Sequence, residues 1–158
     1  MKNTFGFIGS GNMGGAIACA AAKSLQKNEI AVSDKCEEKA NALAEKLGCV
    51  ACDSRTVAKS AKYIFLGVKP QVLGDLLKEI APIVSERGNE LTLVSMAAGI
   101  SLEKIGGMLG CEASLIRIMP NTPAAYGAGM IQYCHLGVSD EQLTAFLTAM
   151  APSGRLDE

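Results

Sequence analysis

The chain has 158 residues, 49% of them hydrophobic and 20% charged, with a formal net charge of -1. That length and balance suit one folded domain with its own core and exclude a disordered chain. The absence of a Lys/Arg cluster excludes nucleic-acid binding through a basic face, no apolar run reaches the length of a membrane span, and the first residues lack the layout of a signal peptide, so a cytoplasmic protein is expected.

Phe5 to Ile8 is a short apolar run that reads as a buried strand, and it leads directly into Gly9-Ser10-Gly11-Asn12-Met13-Gly14. Met13, Ile17, Ala21 and Leu25 follow at helical spacing. Strand, Gly-x-Gly-x-x-Gly and helix in this order form a dinucleotide-binding turn. Gly9 lets the chain turn, Gly11 leaves room for a pyrophosphate, and Gly14 lets the helix pack closely on the strand. The unpaired N–H groups of the first helical turn would face the anion.

Ile30 to Val32 predicts a second strand, ending at Ser33-Asp34-Lys35. Ala40, Leu43, Ala44 and Leu47 stripe a second helix, which Gly48 ends. A brief strand near Cys49 to Cys52 and a short helix from Thr56 to Ser60 follow. Tyr63 to Leu66, apolar on both faces, is an inner strand ending at Gly67-Val68-Lys69-Pro70. Pro70 opens a helix with Val72, Leu73, Leu76, Leu77 and Ile80 on its buried side.

Leu91 to Ser95 is the next strand, ending at Met96-Ala97-Ala98-Gly99, and Ser101 caps a helix bearing Leu102, Ile105 and Leu109. Leu115 to Ile118 is a further strand, ending at Met119-Pro120-Asn121-Thr122-Pro123. A last strand, antiparallel, covers about Gly129 to Cys134. Ser139 and Gln142 form a capping box for a final helix striped by Leu143, Phe146, Leu147 and Met150. The tail, Ser153 to Glu158, shows no further apolar periodicity. Strands alternating with helices predict an α/β fold, a mostly parallel sheet covered on both faces.

Ligands of such a sheet bind beyond the carboxyl ends of its strands. Here those ends carry Gly, Pro or both in four of five loops. Asp34, about 20 residues past the glycine motif, is placed to bind the ribose hydroxyls of NAD. Ser33 and Lys35 beside it suit the 2′-phosphate of NADP instead, which Asp34 would repel, and a plain exposed turn residue is the third reading. Lys69 reads as a contact to cofactor ribose or substrate carboxylate, or as a solvated lysine. Asn121 and Thr122 orient a nicotinamide or substrate, or cap their loop.

Cys49 and Cys52 form a C-x-x-C but lack a second ligand pair, and the chain has six cysteines and one histidine. They read as small, partly buried residues in a reducing compartment, with no metal site. His135 reads as a turn residue. No nucleophile with a base partner and no carboxylate pair emerges, so no catalytic residue is assigned and the chemistry must come from a cofactor.

The order Gly9 to Gly14, Gly67-Val68-Lys69-Pro70, Ser95-Met96-Ala97-Ala98-Gly99-Ile100 and Arg117-Ile118-Met119-Pro120-Asn121-Thr122-Pro123 resembles pyrroline-5-carboxylate reductases. The resemblance covers essentially the whole chain. It implies a Rossmann-type, doubly wound, mostly parallel sheet in a single domain over residues 1–158. It implies hydride transfer from C4 of NADPH or NADH, with NADPH preferred, to the C=N carbon of the small molecule 1-pyrroline-5-carboxylate, giving L-proline. By resemblance, Ile8, Gly9, Gly11, Asn12, Met13 and Gly14 hold the pyrophosphate, and Ser33, Asp34 and Lys35 the adenosine ribose. Val68, Lys69, Pro70, Met96, Ala97, Ala98 and Gly99 line the dinucleotide groove, and Asn121 and Thr122 lie near the nicotinamide.

Where the family often has an Asn by the adenosine ribose, this chain reads Cys52-Asp53-Ser54, so Asp53 takes that position. The family also has a second, helical domain, which completes the substrate site and builds an intertwined dimer. No stretch of this sequence matches it. The chain alone is therefore expected to be inactive or nearly so, to form homo-oligomers only with that domain, and to expose an apolar patch near the final helix. Two alternatives remain: a hydroxyacid or prephenate-type dehydrogenase domain, and a stand-alone dinucleotide-binding module without catalysis.

Overall fold

The computed structural model describes residues 3–158. The strands are β1 (Asn3–Ile8), β2 (Ile30–Ser33), β3 (Val50–Ala51), β4 (Ala61–Leu66), β5 (Thr92–Ser95), β6 (Ser114–Met119), β7 (Gly129–Leu136) and β8 (Gly154–Asp157). The helices are α1 (Asn12–Ala21), α2 (Glu37–Leu47), α3 (Ser54–Ser60), α4 (Pro70–Arg87), α5 (Leu102–Leu109) and α6 (Asp140–Met150). One sheet has the order β3-β2-β1-β4-β5-β6-β7-β8. Neighbours from β3 through β6 are parallel, β7 is antiparallel to β6, and β8 is parallel to β7. The chain moves outward from β1 to β3, then returns to β4 on the other side of β1, which makes the β1–β4 boundary the switch point of a doubly wound sheet.

Two apolar layers hold the sheet between its helices. On one face Val57 and Ala58 of α3, Leu73, Leu77 and Ile80 of α4 and Ile105 of α5 pack on Ile64, Leu66 and Leu93. On the other, Ile17 and Ala18 of α1, Ala44 of α2 and Phe146 of α6 pack on Phe5, Phe7, Tyr63 and Phe65. All four phenylalanines of the chain meet in that second layer. Phe7 and Phe65 stack at 4.5 Å between centroids, and Phe5 meets Tyr63 edge-on at 5.7 Å. The register aligns these pairs, Phe5 with Tyr63 and Phe7 with Phe65, so the two central strands carry one aromatic ridge under α1 and α6. The Tyr63 hydroxyl donates to the Gln142 carbonyl at 2.6 Å, which ties the ridge to α6.

Local signals produced most of the boundaries. Gly48 ends α2 in the left-handed region at φ 70°. Ser101 Oγ accepts from Lys104 N–H at 3.2 Å. Ser139 and Gln142 form the reciprocal capping box, with Ser139 Oγ accepting from Gln142 N–H at 3.2 Å and Gln142 Oε1 accepting from Ser139 N–H at 3.0 Å.

Several expectations shift. α1 stops at Ala21, before Leu25, because Ala22, Lys23 and Ser24 turn back onto its last carbonyls. α3 starts two residues before Thr56, at Ser54, because Asp53 caps it. Val72 lies off the buried stripe of α4 and is 41% exposed. The tail forms β8, whose half-buried Leu156 packs with the aromatic layer beside β7. Of the exposed large apolar residues, Met119, Tyr126, Met130 and Leu136 lie on β6, β7 and the turn between them, Val50 lies on β3 and Val72 on α4, so the larger group sits by β6 and β7 rather than on α6. No helix among the described residues is long and apolar enough to cross a membrane.

Candidate functional site

The parallel register sets Ser33, Ile8, Leu66 and Ser95 side by side at the carboxyl ends of β2, β1, β4 and β5, level with Arg117, two residues before the end of β6. Ile8 and Ser33 belong to this row, Asp53 follows β3 at its outer end, and the loops that leave the row carry the other residues proposed from the sequence. Backbone pairing continues past the strands: Gly9 N–H donates to the Ser33 carbonyl and Gly67 N–H to the Ile8 carbonyl, both at 2.8 Å.

The glycine turn is tight for reasons visible atom by atom. Gly9 has φ +102°, which side chains rarely adopt, and a Cβ there would lie 2.5 Å from the Gly67 carbonyl oxygen. A Cβ on Gly14 would lie 2.2 Å from the Gly9 carbonyl oxygen. The Met96 Cε would stand 3.0 Å from a Cβ on Gly67, so Met96 closes over the same spot.

Gly11 differs. Its φ of -71° is open to any residue, and no atom lies within 4 Å of a Cβ built on it. It is exposed, it occupies the N-cap of α1, and it provides no side-chain cap to the helix. Asn12, Met13 and Gly14 therefore begin a helix whose first N–H groups lack a capping side chain and whose first turn carries no acid. An uncapped, ten-residue helix opening onto clear space above a glycine fits a pyrophosphate.

Asp34 faces this turn. Its Oδ2 accepts from Ser10 N–H at 2.8 Å and from Ser10 Oγ at 2.9 Å, and its Oδ1 accepts from Cys36 N–H at 2.9 Å. Burial pushes its pKa up, but these hydrogen bonds and the Lys39 charge outweigh that and hold it below the ordinary carboxylate value. Ser33 is buried, with its Oγ 3.3 Å from Ser54 Oγ, while Lys35 is exposed. Asp53 caps α3 by accepting from Thr56 N–H at 2.7 Å, and that bond lowers its pKa.

Across the switch point, Val68 is half-buried against the layer built by α4, and exposed Lys69 is the N-cap residue before Pro70. Ala97 is buried and donates its N–H to Ser95 Oγ at 3.2 Å, while Ala98 and Gly99 are exposed. Asn121 Oδ1 accepts from Met130 N–H at 3.1 Å and so braces the turn between β6 and β7, beside exposed Thr122. The glycine turn, Asp34, Gly67 and Met96 thus form one connected group at the switch point. Asp53 lies at one end of the carboxyl edge and Asn121 with Thr122 at the other, with β4 and β5 between the latter and β1.

Ser10 and Gly67 joined this group without being singled out from the sequence. The signal for Gly67 was its place opposite Gly9 at the end of an inner strand. Ser10 carried none, since the motif leaves that position free.

Cys49 and Cys52 both have thiols pushed up by burial, Cys52 also by Asp53, which makes them poor nucleophiles. They pack on opposite faces of the sheet. His135 Nε2 lies 3.3 Å from Glu158 Oε1, at the far side of the sheet from the turn. Two shallow depressions, one lined in part by Asn3, Lys62 and Arg87 and the other by Lys62, Asn89 and Gln142, sit at the amino ends of the strands. They are open hollows at the edge opposite the one where loops of a parallel sheet converge on ligands.

The chain is 38% identical over 133 residues to a pyrroline-5-carboxylate reductase of Escherichia coli (strain K12), a match covering 82% of this chain and 48% of that protein. It spans about half the length of the curated relatives it matches. Among solved structures, a pyrroline-5-carboxylate reductase from Coxiella burnetii superposes with a TM-score of 0.88 at 28% identity, over 99% of this chain and 58% of that one. A prephenate dehydrogenase from Aquifex aeolicus superposes over 99% of this chain and 61% of that one, with a TM-score of 0.75 at 16% identity, a likeness of fold alone. A family model described as NADP oxidoreductase coenzyme F420-dependent matches residues 4–99. With more than half its length matched by that model, the chain belongs to this family of NADP oxidoreductases.

Proposed function

We propose that the protein reduces 1-pyrroline-5-carboxylate to L-proline with NADPH or NADH, and that residues 1–158 form the dinucleotide-binding domain. The observation that carries the reading is the uncapped start of α1 beneath the open space at Gly11, at the switch point of the sheet. The 38% identity to the Escherichia coli reductase supports this substrate class.

In this reading the N–H groups of Asn12, Met13 and Gly14 bind the pyrophosphate. Ser33, Lys35 and Asp53 border the adenosine end. Val68 to Pro70 and Met96 to Gly99 line the groove, and Asn121 with Thr122 border the nicotinamide end. When bound, the reduced nicotinamide supplies the hydride, and a protonated imine accepts it without a strong acid–base pair in this domain. The protein's part is to orient the two reactants and exclude water.

Fluorescence titration of the 158-residue chain with NADPH and NADH tests the binding half of the proposal, and saturable binding is expected. Proline formation by the chain joined to the helical domain of a pyrroline-5-carboxylate reductase tests the other half. The 158-residue chain alone is expected to form little or none. Failure to bind either dinucleotide would overturn the whole reading. Binding without proline formation by the joined protein would leave a dinucleotide-binding module.

A further inference from the structure

We propose that Asp34 is a positioning residue that fastens the pyrophosphate turn to β2, and does not serve as an acceptor for the two ribose hydroxyls. The inference rests on the dinucleotide reading above and deepens it.

An ionised carboxylate has about four acceptor sites. Three of those on Asp34 are engaged within the protein: Ser10 N–H at 2.8 Å, Ser10 Oγ at 2.9 Å and Cys36 N–H at 2.9 Å. A ribose diol requires two, and about one remains. Ser10 lies inside the glycine turn, 24 residues from Asp34, and Cys36 lies in Asp34's own loop just before α2, so the single side chain ties that loop to the turn. The link is parallel to the backbone bond from Gly9 N–H to the Ser33 carbonyl, one residue back on each strand. Together they hold the turn at two adjacent points. They fix the approach of α1, and with it the direction in which its first N–H groups point.

The arrangement also resolves the conflict between a carboxylate and a neighbouring phosphate. With its oxygens turned onto N–H and O–H donors and Lys39 nearby, Asp34 presents a compensated charge. Such a residue favours neither the 2′-hydroxyl of NADH nor the 2′-phosphate of NADPH. The selection between them falls to the side chains around it, with Lys35 exposed at the same strand end.

The test is Asp34→Ala, Asp34→Asn and Ser10→Ala, titrated with NADH and with NADPH and followed by amide hydrogen exchange without cofactor. Asp34→Ala should weaken both dinucleotides by about tenfold or more, with the ratio of the two affinities held within about threefold of wild type. Exchange should quicken in residues 9–14 while β4 and β5 keep their protection. Asp34→Asn, which retains one oxygen for Ser10, should recover part of both effects. Ser10→Ala should add less to Asp34→Ala than it costs alone. Selective loss of NADH with a gain in NADPH would overturn the proposal and return Asp34 to the ribose. Unchanged exchange in residues 9–14 would overturn it as well. If the wild type bound neither dinucleotide, the proposed function would fall, and the exchange rates alone would still decide whether Asp34 orders the turn.

Discussion

Gly14 stands so close to Gly9 that a single added carbon on it would lie 2.2 Å from the Gly9 carbonyl oxygen. Gly11, three residues earlier, has nothing within 4 Å. The two glycines therefore answer to different demands, one to the fold and the other to a ligand. Gly14→Ala should destabilise the chain by about 1–3 kcal/mol, the range for overpacking. Gly11→Ala should cost less than about 1 kcal/mol, as expected of a helix N-cap change, while Gly11→Val should weaken dinucleotide binding more than about tenfold. Thermal unfolding and cofactor titration on the three variants separate these effects. Normal binding by Gly11→Val would count against the pyrophosphate assignment.

The hydrogen bonds to Asp34 make part of the stability depend on acid. The Asp34 carboxyl is held below its ordinary value of 3.8 in the folded chain. A group with a depressed folded pKa adds stability above its unfolded pKa and loses it as the pH falls through the folded one. Wild type should therefore exceed Asp34→Asn in melting temperature by its full margin near pH 6. The margin should shrink below about pH 4. Asp53, also depressed through its bond to Thr56, adds loss of the same sign in both proteins. Melting temperatures between pH 3 and pH 7 measure the margin, and a gap that widened on acidification would contradict the assigned direction.

Arg87, in the last turn of α4, donates from Nη1 to the carbonyls of Ala58 and Ala61 at 2.7 and 2.6 Å. It thereby closes the end of α3 against the start of β4. Arg87→Met keeps much of the apolar stem and removes both donors. The loss expected is about 1–3 kcal/mol, the cost of leaving buried acceptors without a partner. Urea unfolding gives the number directly. A loss under about 0.5 kcal/mol would mean that water replaces the guanidinium.

Thr92, at the start of β5, is 1% exposed, and its Oγ1 is buried with no hydrogen-bond partner. Replacing that hydroxyl with a methyl group removes an unmet demand and keeps the shape. Thr92→Val should be neutral to about 1 kcal/mol stabilising, seen as a higher denaturant midpoint at constant slope. A clear destabilisation would place a buried water on Oγ1.

The parallel half of the fold was legible because its strands are apolar on both sides and its helices carry their own stops. Tyr63 to Leu66 and the Ser139–Gln142 capping box need no tertiary information. β8 was not legible, because Gly154 to Asp157 offers one apolar residue, Leu156, and becomes a strand only where β7 presents an edge to it. The polar residues of the site divide similarly. The sequence marked Asp34, Asp53 and Asn121 as chemically able, but an acceptor does not reveal its donors. In the fold they accept from Ser10 and Cys36, from Thr56 and from Met130. The apolar surface was expected near the final helix because such a domain packs on a partner, an argument that names no particular face. Its larger part lies on β6 and β7, where Met119, Met130 and Leu136 alternate with residues that point into the sheet's covered face.

The backbone pairing that runs past β1 and β4, from Gly9 to Ser33 and from Gly67 to Ile8, has a kinetic meaning. The bonds that hold the turn are made within the chain itself, so little chain freedom remains to be lost on contact with a ligand. Association with such a surface follows encounter and the stripping of water, without a closing step of the turn itself. Free and liganded chains should then share one backbone course from Ile8 to Gly14.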